Sequence, residues 1–168
     1  DNPIIINNEE KGERELASDY EKYLSLKTKS LLELEKYEDC LTLCNTALSE
    51  LKEFHFNNDI WFKMRKALSL ENLGRLSESE EVFLELLNSK ASKDKWYIYY
   101  YFAEVYYKKE NYKKAWELAI DSTFLGNEPH FMIKLYLLQA RILYRLNRKE
   151  EGKLLALLIA SILKEQGW

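Results

Sequence analysis

Cys40 and Cys44 are the two thiols of this 168-residue chain. Four residues apart on one helix, they point the same way. Neighbours on a helix are poorly placed for a disulfide, and two thiols do not complete a metal site. Core packing, which free cysteine tolerates well, is the expectation for both. The two histidines offer little more. His55 stands in a loop between Phe54 and Phe56, and His130 follows Pro129 at a helix start. They fall in different segments with no evident partner. A Gly-rich phosphate loop, a nucleophile elbow and a His–Glu pair at metal spacing are all missing from the sequence. No enzyme activity, catalytic residue, metal or cofactor is therefore expected.

The residues suited to recognition are aromatic and basic. In the run Trp96-Tyr-Ile-Tyr-Tyr-Tyr-Phe, Trp96, Tyr99 and Phe102, with Tyr106 beyond, have core spacing. Tyr97, Tyr100 and Tyr107 lie on another side, where packing explains less. A ring with a polar tip suits an interface that is wet when empty and buried when occupied. Arg141 and Arg145, four apart, share a helix face.

Elements to position these groups must come mostly from helices. Hydrophobic residues make up 46% of the chain, enough for a sizeable core, and five glycines and two prolines leave few breaks. The net charge of −3 gives no global attraction to nucleic acid or membrane. Residues 1–95 carry 14 Lys and Arg against 20 Asp and Glu, and residues 96–168 carry 11 against 8. No window reaches about 18 apolar residues, so no membrane span is expected. With no signal peptide and two unpaired thiols, the chain reads as reduced and cytoplasmic. It begins at Asp1 rather than methionine, and so reads as a processed product or a piece of a longer protein.

Apolar periodicity predicts helices over about 13–34, 37–51, 60–73, 78–88, 96–109, 112–125, 131–146 and 149–165. Residues 1–12 read as a tail or linker. Ser77 with Glu80, and Asn147 with Glu150, are spaced as capping boxes. Asn111 suits an N-cap, and Gly126 a left-handed helix stop. Four pairs of small residues, each twelve apart, run through these helices: Thr28 and Cys40, Ala67 and Ser79, Ala103 and Ala115, Ala140 and Gly152. Successive pairs start 39, 36 and 37 residues apart. Twelve residues lead from mid-helix round a tight turn to the next helix, so four pairs in register predict a repeated helical hairpin.

These hairpins resemble the tetratricopeptide repeat, with repeats at about 21–54, 60–93, 96–129 and 133–166 of a domain spanning 13–168. The third matches best, through Tyr99, Phe102, Ala103, Tyr106, Tyr112, Ala115 and Pro129. Lys149 departs from the pattern where an aromatic or leucine is usual. The resemblance implies an all-α fold, a right-handed α-solenoid of about four antiparallel hairpins with a concave groove lined by the first helix of each repeat. It implies a non-enzymatic scaffold or adaptor that binds a protein or peptide segment there. Trp61, Met64, Tyr97, Tyr100, Tyr107, Lys134, Arg141, Tyr144 and Arg145 are the groove residues it selects. Tyrosines beside cations favour an acidic or C-terminal segment. Some relatives hold a terminal carboxylate with a fixed lysine, asparagine and arginine set. Ser25, Arg65, Tyr97 and Tyr101 stand at those places, which disfavours that version.

Two other functions are weighed. One is a regulatory or sensor segment of a larger protein. The other is a nucleic-acid-binding helical repeat that uses the basic C-terminal half and stacked tyrosines; overall acidity argues against it. The last helix is apolar on more than one side. Leu155, Leu158, Ile159 and Ile162 are expected to be covered by a second copy, as a homodimer, or by the rest of a longer chain.

Overall fold

The computed structural model describes residues 4–8 and 12–16 as backbone, and residues 18–126, 132–165 and 167 in full. Pro129, His130 and the helix start at Phe131 lie outside the described residues. The chain divides into two compact units, Asp1–Leu86 and Leu87–Trp168.

The first unit opens with β1 (Ile4–Asn8) and β2 (Gly12–Leu16), paired antiparallel with Ile4 opposite Leu16 and Asn8 opposite Gly12. This corrects the reading of 1–12 as a tail and of a helix from Glu13. β-Branched Ile4–Ile6 favour extended backbone. The first helix, α1 (Asp19–Glu33), starts instead where the Ser18 hydroxyl accepts the Glu21 N–H at 3.1 Å. Helices α2 (Tyr37–Glu50), α3 (Asn58–Asn72) and α4 (Leu76–Asn88) follow. Leu24, Cys40, Cys44, Ala47 and Phe62 form a buried cluster, with Phe54 packed against Phe62. The second unit holds α5 (Trp96–Lys108), α6 (Tyr112–Leu125), α7 (Ile133–Arg145) and α8 (Lys149–Glu165). Ile98, Phe102, Leu135, Leu138 and Ile142 are the heart of its core.

The twelve-residue pairs meet. Cys40 Sγ donates to the Thr28 carbonyl at 3.3 Å, and Ser79 Oγ to the Ala67 carbonyl at 2.8 Å. Ala103 and Ala115 are both fully buried. A Cβ on Gly152 would stand 3.5 Å from the Ala140 carbonyl oxygen. A small side chain is thus what lets the second helix of each hairpin approach the backbone of the first.

The turns repeat with the same period. Glu35, Gly74, Glu110 and Asn147 all have positive φ, between 57° and 76°. In each turn the residue after it sends its N–H back five residues, Lys36 to Leu31, Arg75 to Leu70, Asn111 to Tyr106 and Arg148 to Leu143, at 2.8–3.0 Å. This is the Schellman closure of a helix C-terminus. It moves two expected caps. Asn147 ends α7 rather than starting α8, and Ser77 lies inside α4, whose N-cap is Arg75. Arg75 pairs with Glu78, and Arg148 with Glu151, across the first turn of the second helix. Asn111 caps α6 as expected, accepting from the Lys114 N–H at 3.2 Å. Gly126 has φ −86°, not a left-handed value. A Cβ there would lie 2.3 Å from the Met132 methyl carbon, so a larger residue needs the end of that flexible side chain to shift.

In the first unit Glu21 is buried in the first turn of α1, yet satisfied. Its Oε1 accepts the His55 N–H at 3.0 Å and Asn58 Nδ2 at 2.6 Å, and its Oε2 lies 2.9 Å from His55 Nδ1. A carboxylate only accepts, so Nδ1 carries the proton. This contact fixes the α2–α3 loop, where Phe56 and Asn57 have positive φ.

Candidate functional site

In the second unit the expected recognition residues gather on α5 and α7. Tyr97, Tyr100, Glu104, Tyr107 and Lys108 recur at threes and fours along α5, and Lys134, Arg141 and Arg145 at sevens and fours along α7. The Arg141 guanidinium lies over the Tyr107 ring, 4.6 Å from its centroid. Arg145 lies 5.0 Å over Tyr112 of α6 and donates to its hydroxyl through Nε at 2.8 Å and Nη2 at 2.5 Å. Tyr107 and Tyr112 meet edge to face at 5.4 Å. The result is a strip of two rings carrying two cations, with Glu110 at 3.7 Å from Arg145 at its end. Lys149 Nζ stands 5.5 Å over the Tyr144 ring, extending the pattern to the start of α8.

Two charge effects follow from this packing. Burial raises the Glu104 carboxyl above the ordinary carboxylate range, against the opposing pull of the Tyr100 hydroxyl, which donates to it, and of Lys108, Arg141 and Lys134. The hydrogen bond with Tyr112 holds the Arg145 guanidinium above its usual value.

Lys134, Arg141, Tyr144 and Arg145 are exposed, and Tyr97 and Tyr107 half-buried. Tyr100 is different: at 7% exposure it lies inside, in contact with Trp96 and Tyr101. Of the first-unit residues, Trp61 is exposed and Met64 is buried at 2%. Tyr112 was not singled out for recognition, although it stands 33 residues before Arg145, close to one repeat. Arg65, at the place of a carboxylate-holding asparagine, is turned inward. Its Nη1 donates to Thr28 Oγ1 at 3.1 Å and Ser25 Oγ at 3.4 Å, and burial lowers its pKa.

On α8 the structure separates the expected capping surface. Ile159 and Ile162 are buried and Leu155 is half-buried, while Leu158 is exposed together with Leu154 and Leu157. Cys40 and Cys44 are both buried, their sulfurs 4.0 Å apart, as core packing requires. The hydrogen bond with Cys40, and then burial, push the Cys44 thiol up. Among the described residues no cluster of three His, Cys, Asp or Glu is placed to hold a metal, and no helix is long and apolar enough to cross a membrane.

No protein-family model matches the chain, and neither does any curated protein sequence. Solved structures do match. MamA (41-end) from Desulfovibrio magneticus RS-1 is 18% identical, with a TM-score of 0.70 over 87% of this chain and 77% of that one. A putative kinesin light chain of nearly identical TPR-like repeats from Podospora anserina is 12% identical, with a TM-score of 0.68 over 86% and 75%. PcrH, solved in complex with the chaperone binding region of PopB, is 12% identical, with a TM-score of 0.59 over 77% and 97%. At these identities the likeness speaks for the fold, and together with the small-residue register and the repeated turns it makes this chain a tetratricopeptide-like helical repeat.

Proposed function

We propose that the chain is a non-enzymatic interaction module whose α5–α7 surface holds an acidic segment of another protein. The observation that carries this reading is the pair of arginines laid on tyrosine rings, Arg141 on Tyr107 and Arg145 on Tyr112. Stacking keeps each planar guanidinium in place with little rotamer freedom left to lose on binding. Both remain exposed, so a partner carboxylate can reach them. Lys134 adds a third cation on the same helix, and Tyr97 and Tyr107 offer half-buried rings that a covering segment would bury. Similarity to PcrH, which was solved with a bound segment of PopB, agrees with a peptide as the ligand class.

The test uses the full chain and a fluorescein-labelled, aspartate-rich peptide containing a few leucines, followed by anisotropy. Arg141→Glu and Tyr107→Ala should each weaken capture, the charge reversal by at least about tenfold, with helicity unchanged. Lys113→Glu, an equal charge change at an exposed place on α6, should leave capture nearly unaltered. Unchanged binding by both surface variants sinks the proposal. Tighter, salt-sensitive retention of a single-stranded oligonucleotide would replace it with the nucleic-acid reading.

A further inference from the structure

Helix α8 meets its own unit along one stripe and leaves the opposite stripe open. Gly152, Leu155, Ile159, Ile162 and Leu163, at threes and fours, form its buried or half-buried side. Across the helix, Glu150, Leu154, Leu157, Ser161 and Lys164 recur at fours and threes, and all are exposed. Leu154 is 65% exposed and Leu157 68%, and Leu158 borders them at 44%. A helix that faces water on this side carries polar residues there. This one carries leucine in its central turns and small Ala160 and Ser161 beyond them. Its outward charges stand at the two ends, Glu150 in the first turn and Lys164 in the last.

We propose that the open stripe of α8 is a self-association surface, and that its occupant is α8 of a second copy, laid antiparallel about a two-fold axis at Leu157. Such an axis sets the two Leu157 side chains against each other, Leu154 against the partner's Ala160 and the partner's Ser161, and Glu150 beside the partner's Lys164. Each off-axis contact then occurs twice. The small residues opposite Leu154 let the helices come close, and an ion pair closes each end. A parallel arrangement fails on the same residues, because it sets Glu150 against its own copy, Lys164 against its own copy, and the two helix dipoles side by side. This self-complementary order of acid, leucine and base is what commits the face to a second copy of the chain. Within one copy Glu150 is held by Lys153 at 2.8 Å, but both side chains are at least 70% exposed. An ion pair so exposed contributes little, so Glu150 exchanges it readily for the partner's lysine. Burial of leucine drives the association, and the end charges set direction and register. One helix from each copy makes a small interface, so the dimer belongs in the range of about 10–100 µM.

Sedimentation equilibrium of the full chain over a concentration range spanning about 5–500 µM tests it. The wild type should pass from monomer to dimer within that range. Leu157→Glu, which sets two like charges at the axis, should weaken association by at least about thirtyfold. Leu26→Glu, at an equally exposed leucine of α1, should leave it unchanged. Glu150→Lys and Lys164→Glu each bring like charges together at both ends, and each should weaken association by about tenfold. An equimolar mixture of these two variants should associate about as tightly as the wild type, because one then carries only cations at the two places and the other only anions. All the altered positions are exposed, and circular dichroism checks that each variant is folded. A monomer throughout the range overturns the proposal, and so does a dimer that Leu157→Glu leaves intact. Association that survives both single charge reversals unweakened overturns the antiparallel arrangement. None of these measurements involves the aspartate-rich probe, so failure here leaves the acidic-segment reading standing.

Discussion

At the scale of single residues, the groups with the largest leverage are buried polar atoms with several partners. Glu21 satisfies three donors with one carboxylate, two from His55 in the α2–α3 loop and one from Asn58 at the start of α3. Its replacement by alanine leaves those donors in a partly dry place, which costs about 1–3 kcal/mol for an unsatisfied group. Glu21→Ala should therefore lower the thermal midpoint by several degrees, and urea melts read by tyrosine and tryptophan fluorescence should show the same loss. An unaltered midpoint would mean that water replaces the carboxylate without penalty. None of this was legible beforehand. Glu21 reads as one more helix-surface acid in the sequence, and its partner lies 34 residues away. Gly126 was misread for a similar reason. A glycine after a helix suggests a left-handed stop, but this one has φ −86°, and the end of the Met132 side chain fills the space beside it.

At the scale of elements, the hairpin turn is the unit that repeats most faithfully. All four turns place one residue in the left-handed region, and glycine fills that place only at Gly74. A side chain there costs roughly 1 kcal/mol, with glutamate bearing the cost at Glu35 and Glu110. Exchange in opposite directions tests this. Glu110→Gly should raise stability by about 0.5–1 kcal/mol, and Gly74→Ala should lower it by about 1 kcal/mol, since open space around Gly74 leaves backbone strain as the main effect. Chemical denaturation of both variants reads the two signs, and two changes of the same sign would contradict the turn geometry. The small pairs could be read in advance because close helix approach restricts residue type at fixed spacing. The turns could not, because Glu35 and Glu110 carry no compositional mark of positive φ, and Asn147, a residue that tolerates it, is spaced from Glu150 as a capping box instead. The aromatic run was divided only in part. α5 is apolar or aromatic on nearly every side, so spacing alone did not show that Tyr100 points inward while Trp96, Tyr99 and Tyr106 are half-buried.

At the scale of the whole molecule, charge is distributed unevenly between the two units. Residues 1–86 carry 11 Lys and Arg against 19 Asp and Glu, a balance of −8, and residues 87–168 carry 14 against 9, a balance of +5. The division is steeper than a cut of the sequence at residue 95 suggests, because the structural boundary assigns the basic segment after Leu86 to the second unit. Capture of an aspartate-rich probe should accordingly weaken by about tenfold between 50 mM and 500 mM salt. Affinity that is flat in salt would assign the recognition to apolar contact. The first unit answers to a different kind of load. Glu21 sits in the opening turn of α1, and its partners lie beyond the whole of α2. A force drawing on the N-terminal end therefore cannot peel α1 away one turn at a time. It must first pull against residues 55–58, so tension is shared by three helices before any one of them unwinds.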